Sequence, residues 1–217
     1  MGCRGERGGG GGGEATPIRL GGASNIVAFA RPVLNVTGKL RHVKPIQLAD
    51  FKFLKSVTTR TPKVTIPSPT MLHFRGGRGA ISREAYPDME DFFADVARCY
   101  RDEIKSLADA GCTYLQLDDT NLAYLCDPKM REGARQRGDD PDELPRRYAR
   151  LINACIAERP SGMHVCIHLC RGTSQSAWAP RGGHGGCPGR RCGAGGQLPA
   201  VPAGRPAGSV GFDVDPA

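Results

Sequence analysis

The chain reads as an α/β protein with a parallel sheet, and three observations predict it. Short β-branched or alternating segments recur at 61–67, 112–117 and 163–170. Between them lie stretches whose apolar residues return every three or four positions, the period of a helix. Each strand candidate is followed by a polar loop. Strands alternating with helices imply parallel pairing through right-handed crossovers. In such folds chemistry gathers beyond the carboxyl ends of the strands.

Taken in order, Val36-Thr37-Gly38-Lys39-Leu40 predicts an early strand, with a short helix around Leu48–Ser56. Thr61-Pro62-Lys63-Val64-Thr65-Ile66-Pro67 is β-branched, and Pro67 and Pro69 end it. Met89, Phe92, Phe93, Val96, Tyr100, Ile104 and Leu107 mark a long helix that starts after Pro87-Asp88 and stops at Gly111. Cys112 to Leu117 is the next strand and runs straight into Asp118-Asp119. Leu144, Tyr148, Leu151, Ile152, Cys155 and Ile156 predict a second helix, ending near Pro160. The third strand is Met163 to Cys170. Residues 61–170 are thus expected to form three parallel strands joined by two helices.

The ends read differently. Residues 2–13 are almost all Gly and charge, and 179–217 are rich in Gly, Pro and Arg with no apolar periodicity. Such segments cannot bury enough surface to offset chain entropy. The organisation predicted is a disordered 1–30, a foldable 31–178 and a disordered tail at 179–217. Much of the net charge of +8 sits in those ends, on Arg4, Arg7, Arg181, Arg190, Arg191 and Arg205. The middle mixes both signs as a solvated surface does, which argues against a nucleic-acid partner. Nine cysteines form no even-spaced framework, and neither a secretory leader nor a run long enough to cross a bilayer is present. A reducing cytoplasm is the location expected.

Three polar clusters fall on the predicted rim: Ser68 to His73, Asp118 to Asn121, and His168 to Arg171. Successive side chains on a strand face opposite ways. Val165, Ile167 and Leu169 therefore share an apolar face, and Cys166, His168 and Cys170 share the other. An imidazole and a thiol two residues apart suit one tetrahedral zinc ion. By the same alternation Asp118 turns the way of His168, while Asp119 turns outward. An inward Asp118 suits a substrate ammonium group or the orientation of a metal-bound ligand; a helix cap or Asx turn is the other reading. Arg75-Gly76-Gly77-Arg78-Gly79 reads as an RNA-binding RGG patch or as an anion-friendly loop, and its place between strand and helix favours the loop. His73 and Phe74 would then meet a flat aromatic ligand across the mouth.

The segments TPKVTIPSPTMLHFRGGRGAI, AGCTYLQLDDTNLAYLCDP and VCIHLCRG together resemble the cobalamin-independent methionine synthase family, above all its short bacterial and fungal relatives. The resemblance runs from about Arg31 to Trp178. It implies part of a (β/α)8 TIM barrel and a zinc-dependent methyl transfer from methyltetrahydrofolate to homocysteine. His168 and Cys170 match two zinc ligands of the family, Asp118 matches the acid that binds the homocysteine amine, and Phe74 falls near an aromatic lying against the folate. The family's Glu ligand and last Cys belong to later strands, and after Trp178 the text leaves the pattern. Gly, Ala, Arg and Pro are what GC-rich codons encode, so both ends read as translation in a shifted frame or from a wrongly drawn gene model. Cys187 and Cys192 lie in that tail, with nothing around them to fix a ligand geometry.

The expectation is therefore a barrel fragment with two zinc ligands, inactive as it stands, with open sheet edges and exposed interior apolar surface. A zinc thiol-alkyltransferase using another thiol or methyl donor, and an RNA-binding protein using the RGG-like stretches, are the alternatives.

Overall fold

The computed structural model describes residues 33–170, so the expectations for 1–30 and 179–217, and for Cys187 and Cys192, lie outside the described residues. Three strands, β1 (Val64–Pro67), β2 (Tyr114–Asp119) and β3 (His164–Leu169), pair in parallel in the order β1-β2-β3. The helices are α1 (Leu48–Val57), α2 (Met89–Asp109), α3 (Asn121–Tyr124), α4 (Pro128–Gln136) and α5 (Leu144–Ile156). Two 3₁₀ turns, Pro69–Leu72 and Gly77–Ala80, fill the loop after β1.

Local chemistry accounts for the helix bounds. The Asp88 side chain accepts from the Glu90 N–H at 2.9 Å and caps α2, whose first turn carries Glu90 and Asp91. At the other end Gly111 takes φ 88°, a left-handed conformation that suits glycine. Its N–H reaches the Ala108 carbonyl at 2.8 Å while the Cys112 N–H reaches Leu107 at 2.9 Å, a Schellman stop. The chain thus leaves α2 already turned into β2. Every residue of the apolar stripe read for α5 is buried, from Leu144 to Ile156.

The sheet has two unlike faces. Val64, Ile66, Leu115, Leu117 and Ile167 are buried and join Phe92, Val96, Ile104, Leu107, Leu151 and Ile152 of α2 and α5 in one core. The alternate positions Thr65, Pro67, Gln116, Asp118, Cys166 and His168 are exposed or half-buried. A second cluster under the rim loops holds Phe74, Tyr124, Leu125, Ala134, Leu144 and Tyr148.

Three expectations need correction. Val36 makes only an isolated parallel bridge to Ile81, and the chain bends at Gly38 instead of continuing as a strand. The β2–β3 crossover contains three helices rather than one. The sheet face away from the helices is mainly polar, and the hydrophobic surface expected to be exposed there is limited to side chains such as Tyr114, 38% exposed. Among the described residues β1 and β3 each have a single neighbour.

Candidate active site

Strand register sets the predicted rim residues side by side. Pro67 pairs with Asp118, and Asp118 with His168, across strands spaced about 4.8 Å apart. Ser68 continues β1 and its N–H donates to the Asp118 carbonyl at 2.9 Å. The three clusters therefore meet at one end of the sheet. Cys170, half-buried, follows β3 by one residue, and the alternation carries it to the side of His168.

On this open face a polar chain leads to Asp118. Lys63 Nζ donates to Gln116 Oε1 at 2.8 Å, and Gln116 Nε2 donates to Asp118 Oδ1 at 2.6 Å. Gln116 sits two residues before Asp118 on the same strand face, which is the signal by which it could have been named from sequence. The carboxylate keeps its other oxygen for a ligand that brings donors.

Asp119 is the cap that was considered for Asp118. It is fully buried and accepts from Thr70 Oγ1 at 2.6 Å and from the N–H groups of Asn121 at 2.8 Å and Leu122 at 2.9 Å. Alternation points it away from the open face into the packed side, where a carboxylate survives only with such donors.

Ser68, His73 and Phe74 are placed otherwise than expected. The Ser68 side chain is buried, and its Oγ takes a long 3.4 Å contact from Thr70 Oγ1, so only its backbone serves the rim. His73 is 1% exposed, with Nδ1 2.9 Å from Tyr148 Oη and its ring against Phe93 and Tyr148. Phe74 is 5% exposed and tilts against Tyr124 at 5.8 Å. Both rings are buried, so the two do not line an open mouth.

Burial, with the Arg147 and Arg137 guanidinium groups nearby, lowers the His73 pKa to about 4. The imidazole is neutral at pH 7, and its 3.6 Å approach to Asp139 is a weak contact rather than an ion pair. Burial raises Asp139, against the two arginines, and raises Tyr148 as well.

The RGG stretch has a steric purpose. A Cβ on Gly76 would lie 2.2 Å from the Ala80 Cβ, and one on Gly77, at φ 55°, would lie 2.8 Å from Asp139 Oδ2. Arg78 is turned inward, its Nη2 donating to the Tyr86 carbonyl at 2.7 Å. Both glycines and Arg78 belong to the packing of the loop, not to an extended RNA-binding arm.

Among the described residues no three His, Cys, Asp or Glu side chains gather closely enough to hold a metal ion. His168 and Cys170 form a pair there, short of the three protein ligands usual for catalytic zinc.

No family model matches the chain. A methionine synthase of Pyrococcus abyssi is 31% identical over 131 residues, 59% of this chain and 32% of that one. The crystal structure of a putative vitamin-B12-independent methionine synthase from Listeria monocytogenes is 39% identical, superposes with a TM-score of 0.54, and is matched over 64% of this chain and 41% of its own. The chain is a relative of the cobalamin-independent methionine synthases. An uncharacterized Bacillus subtilis protein, YxjH, is 43% identical over 152 residues, 70% of this chain. The shared stretch is 40% of YxjH, 32% of the Pyrococcus protein and 41% of the Listeria chain, so the chain spans less than half the length of these relatives. The parallel strand–helix order and the Listeria match make residues 33–170 part of a (β/α)8 barrel. Barrel helices lie outside, so the polar face of β1–β3 is the inward one.

Proposed function

We propose that this chain carries a middle part of a zinc-dependent methyltransferase barrel that moves the methyl group of methyltetrahydrofolate to the sulfur of homocysteine. The observation that carries the reading is the register row Pro67–Asp118–His168, which sets a carboxylate beside an imidazole at the strand ends where barrel chemistry collects. In this reading Asp118, steadied by Gln116, accepts the substrate ammonium group. His168 and Cys170 supply two ligands to zinc, and their nitrogen and sulfur donors suit that ion. Zinc held there would favour the thiolate form of a substrate thiol, the form that attacks carbon. The homocysteine and folate partners and a cytoplasmic location are parts of the same proposal.

Two ligands are fewer than a catalytic zinc site uses. The chain as it stands is proposed to bind zinc weakly and to leave homocysteine unmethylated. Zinc titration of the full chain beside His168→Ala and Cys170→Ala, with a methyl-transfer assay, tests both points. Affinity should fall by about tenfold or more for each substitution. Tight binding insensitive to both would place the metal elsewhere, and turnover by the unaltered chain would refute the inactivity.

A further inference from the structure

Asp119 and its donors serve more than the four-residue α3 that follows them. We propose that Thr70, Asp119 and Asn121 form a positioning device that sets the Asp118 carboxylate in place before a ligand arrives. The proposal rests on the reading of Asp118 as the group that receives a substrate ammonium.

All three side chains are fully buried. Thr70 Oγ1 donates to Asp119 Oδ2 at 2.6 Å and accepts from Asn121 Nδ2 at 2.8 Å. Asp119 Oδ1 takes the backbone N–H groups of Asn121 and Leu122 at 2.8 and 2.9 Å. The loop after β1 is thereby tied to the end of β2 from the helix side of the sheet. From the strand edge, the Ser68 N–H holds the Asp118 carbonyl at 2.9 Å. The backbone on both sides of the Asp118 Cα is fixed, and only the side-chain torsions remain free. Gln116 then restrains these through its 2.6 Å bond to Oδ1. Asn121 Oδ1 is buried with no protein partner, a cost an apolar side chain would avoid. The amide nitrogen is engaged with Thr70 Oγ1 and also reaches Met71 Sδ at 3.1 Å. A carboxylate ordered beforehand loses less freedom when it binds an ammonium.

The test uses the full isotope-labelled chain with Thr70→Val, Thr70→Ser and Asp119→Asn. The side-chain amide signal of Gln116 reports where the Asp118 carboxylate lies, and exchange of the Ser68 amide reports the backbone tie. Thr70→Val should shift the Gln116 signal and speed Ser68 exchange by about tenfold, the equivalent of one lost hydrogen bond. Thr70→Ser, which keeps the hydroxyl, should restore both. Asp119→Asn should reproduce the effect and decides the matter if Thr70→Val does not fold. Faster exchange at Asn121 and Leu122 alone, with Gln116 and Ser68 unchanged, would show that the cluster merely caps α3 and would overturn the proposal. A second arm, with zinc in excess, compares L-homocysteine with its des-amino analogue. Thr70→Val and Asp118→Asn should each reduce the preference for the amine. If Asp118→Asn keeps that preference, the ammonium reading fails, while the Gln116 signal still decides the positioning.

Discussion

The two faces of the three-stranded sheet are built from alternate residues of the same strands, yet they obey different rules. Toward the helices stand Val64, Ile66, Leu115, Leu117 and Ile167, all buried in one core. Toward the barrel interior stand Thr65, Gln116, Asp118, Cys166 and His168, none of them buried. The first face holds the strands in place; the second carries groups that can bind and react. The pair Asp118 and Asp119 states the difference most sharply. They are adjacent in sequence, yet one faces the open side beside His168 and the other is sealed among three donors.

The largest effects should come from the helix-side face. Leu117 is 1% exposed and packs in the main core, so Leu117→Ala should cost about 3–4 kcal/mol through lost burial and a residual cavity. A urea midpoint shift no larger than that of Gln116→Ala, its open-face neighbour, would erase the distinction between the faces. Asp119→Ala follows at about 3 kcal/mol, since it strands the Thr70 hydroxyl and two backbone N–H groups in a buried place. Equilibrium unfolding of the variant measures this, and a loss under about 1 kcal/mol would mean that water replaces the carboxylate.

Acid should weaken the packed side through His73. Its folded pKa, about 4, lies below the ordinary 6.5. A base depressed on folding binds fewer protons folded than unfolded, so its stabilisation is complete above pH 6.5 and is lost as pH falls toward 4. The contribution is up to about 3 kcal/mol. Asp139, raised by burial, has the opposite sign and offsets part of it. Urea midpoints at neutral and mildly acid pH, compared with those of His73→Gln, isolate the term. Equal acid sensitivity in the two proteins would remove His73 as its source.

What could be read beforehand follows the same division. The stripes of α2 and α5 and the alternation in β2 and β3 are patterns of burial, and burial writes itself into sequence as period. The facing of Asp118 and His168 followed from counting along strands. Helix α4 was missed because Pro128–Gln136 offers only Met130 and Ala134 to the interior, too few to make a stripe. Its one local sign is Asp127 before Pro128, whose carboxylate caps the Lys129 and Met130 N–H groups. His73 and Phe74 were misplaced for a related reason. A loop residue carries no period, and nothing within the loop shows that α5 brings Tyr148 down onto it. Gly77 likewise was read as part of an RNA-binding patch or an anion-friendly loop, although its missing Cβ makes room for Asp139, more than sixty residues later in the chain.

The smallest predicted change is the most telling about the open face. Asp118→Asn keeps the size of the side chain and one oxygen to accept from Gln116, and removes only the charge. The group is half-buried on a face with room for water, so no donor is left stranded as it would be at Asp119. Stability should therefore stay within about 0.5 kcal/mol of the parent, the range of surface substitutions away from packed features. Binding of an ammonium-bearing thiol should nevertheless fall, since a charge-assisted hydrogen bond is exchanged for a neutral one roughly half as strong. Unfolding and ligand titration on the same sample check both halves. A stability loss matching that of Asp119→Ala would show that Asp118 is structural, and would place both carboxylates on the side of the fold rather than the chemistry.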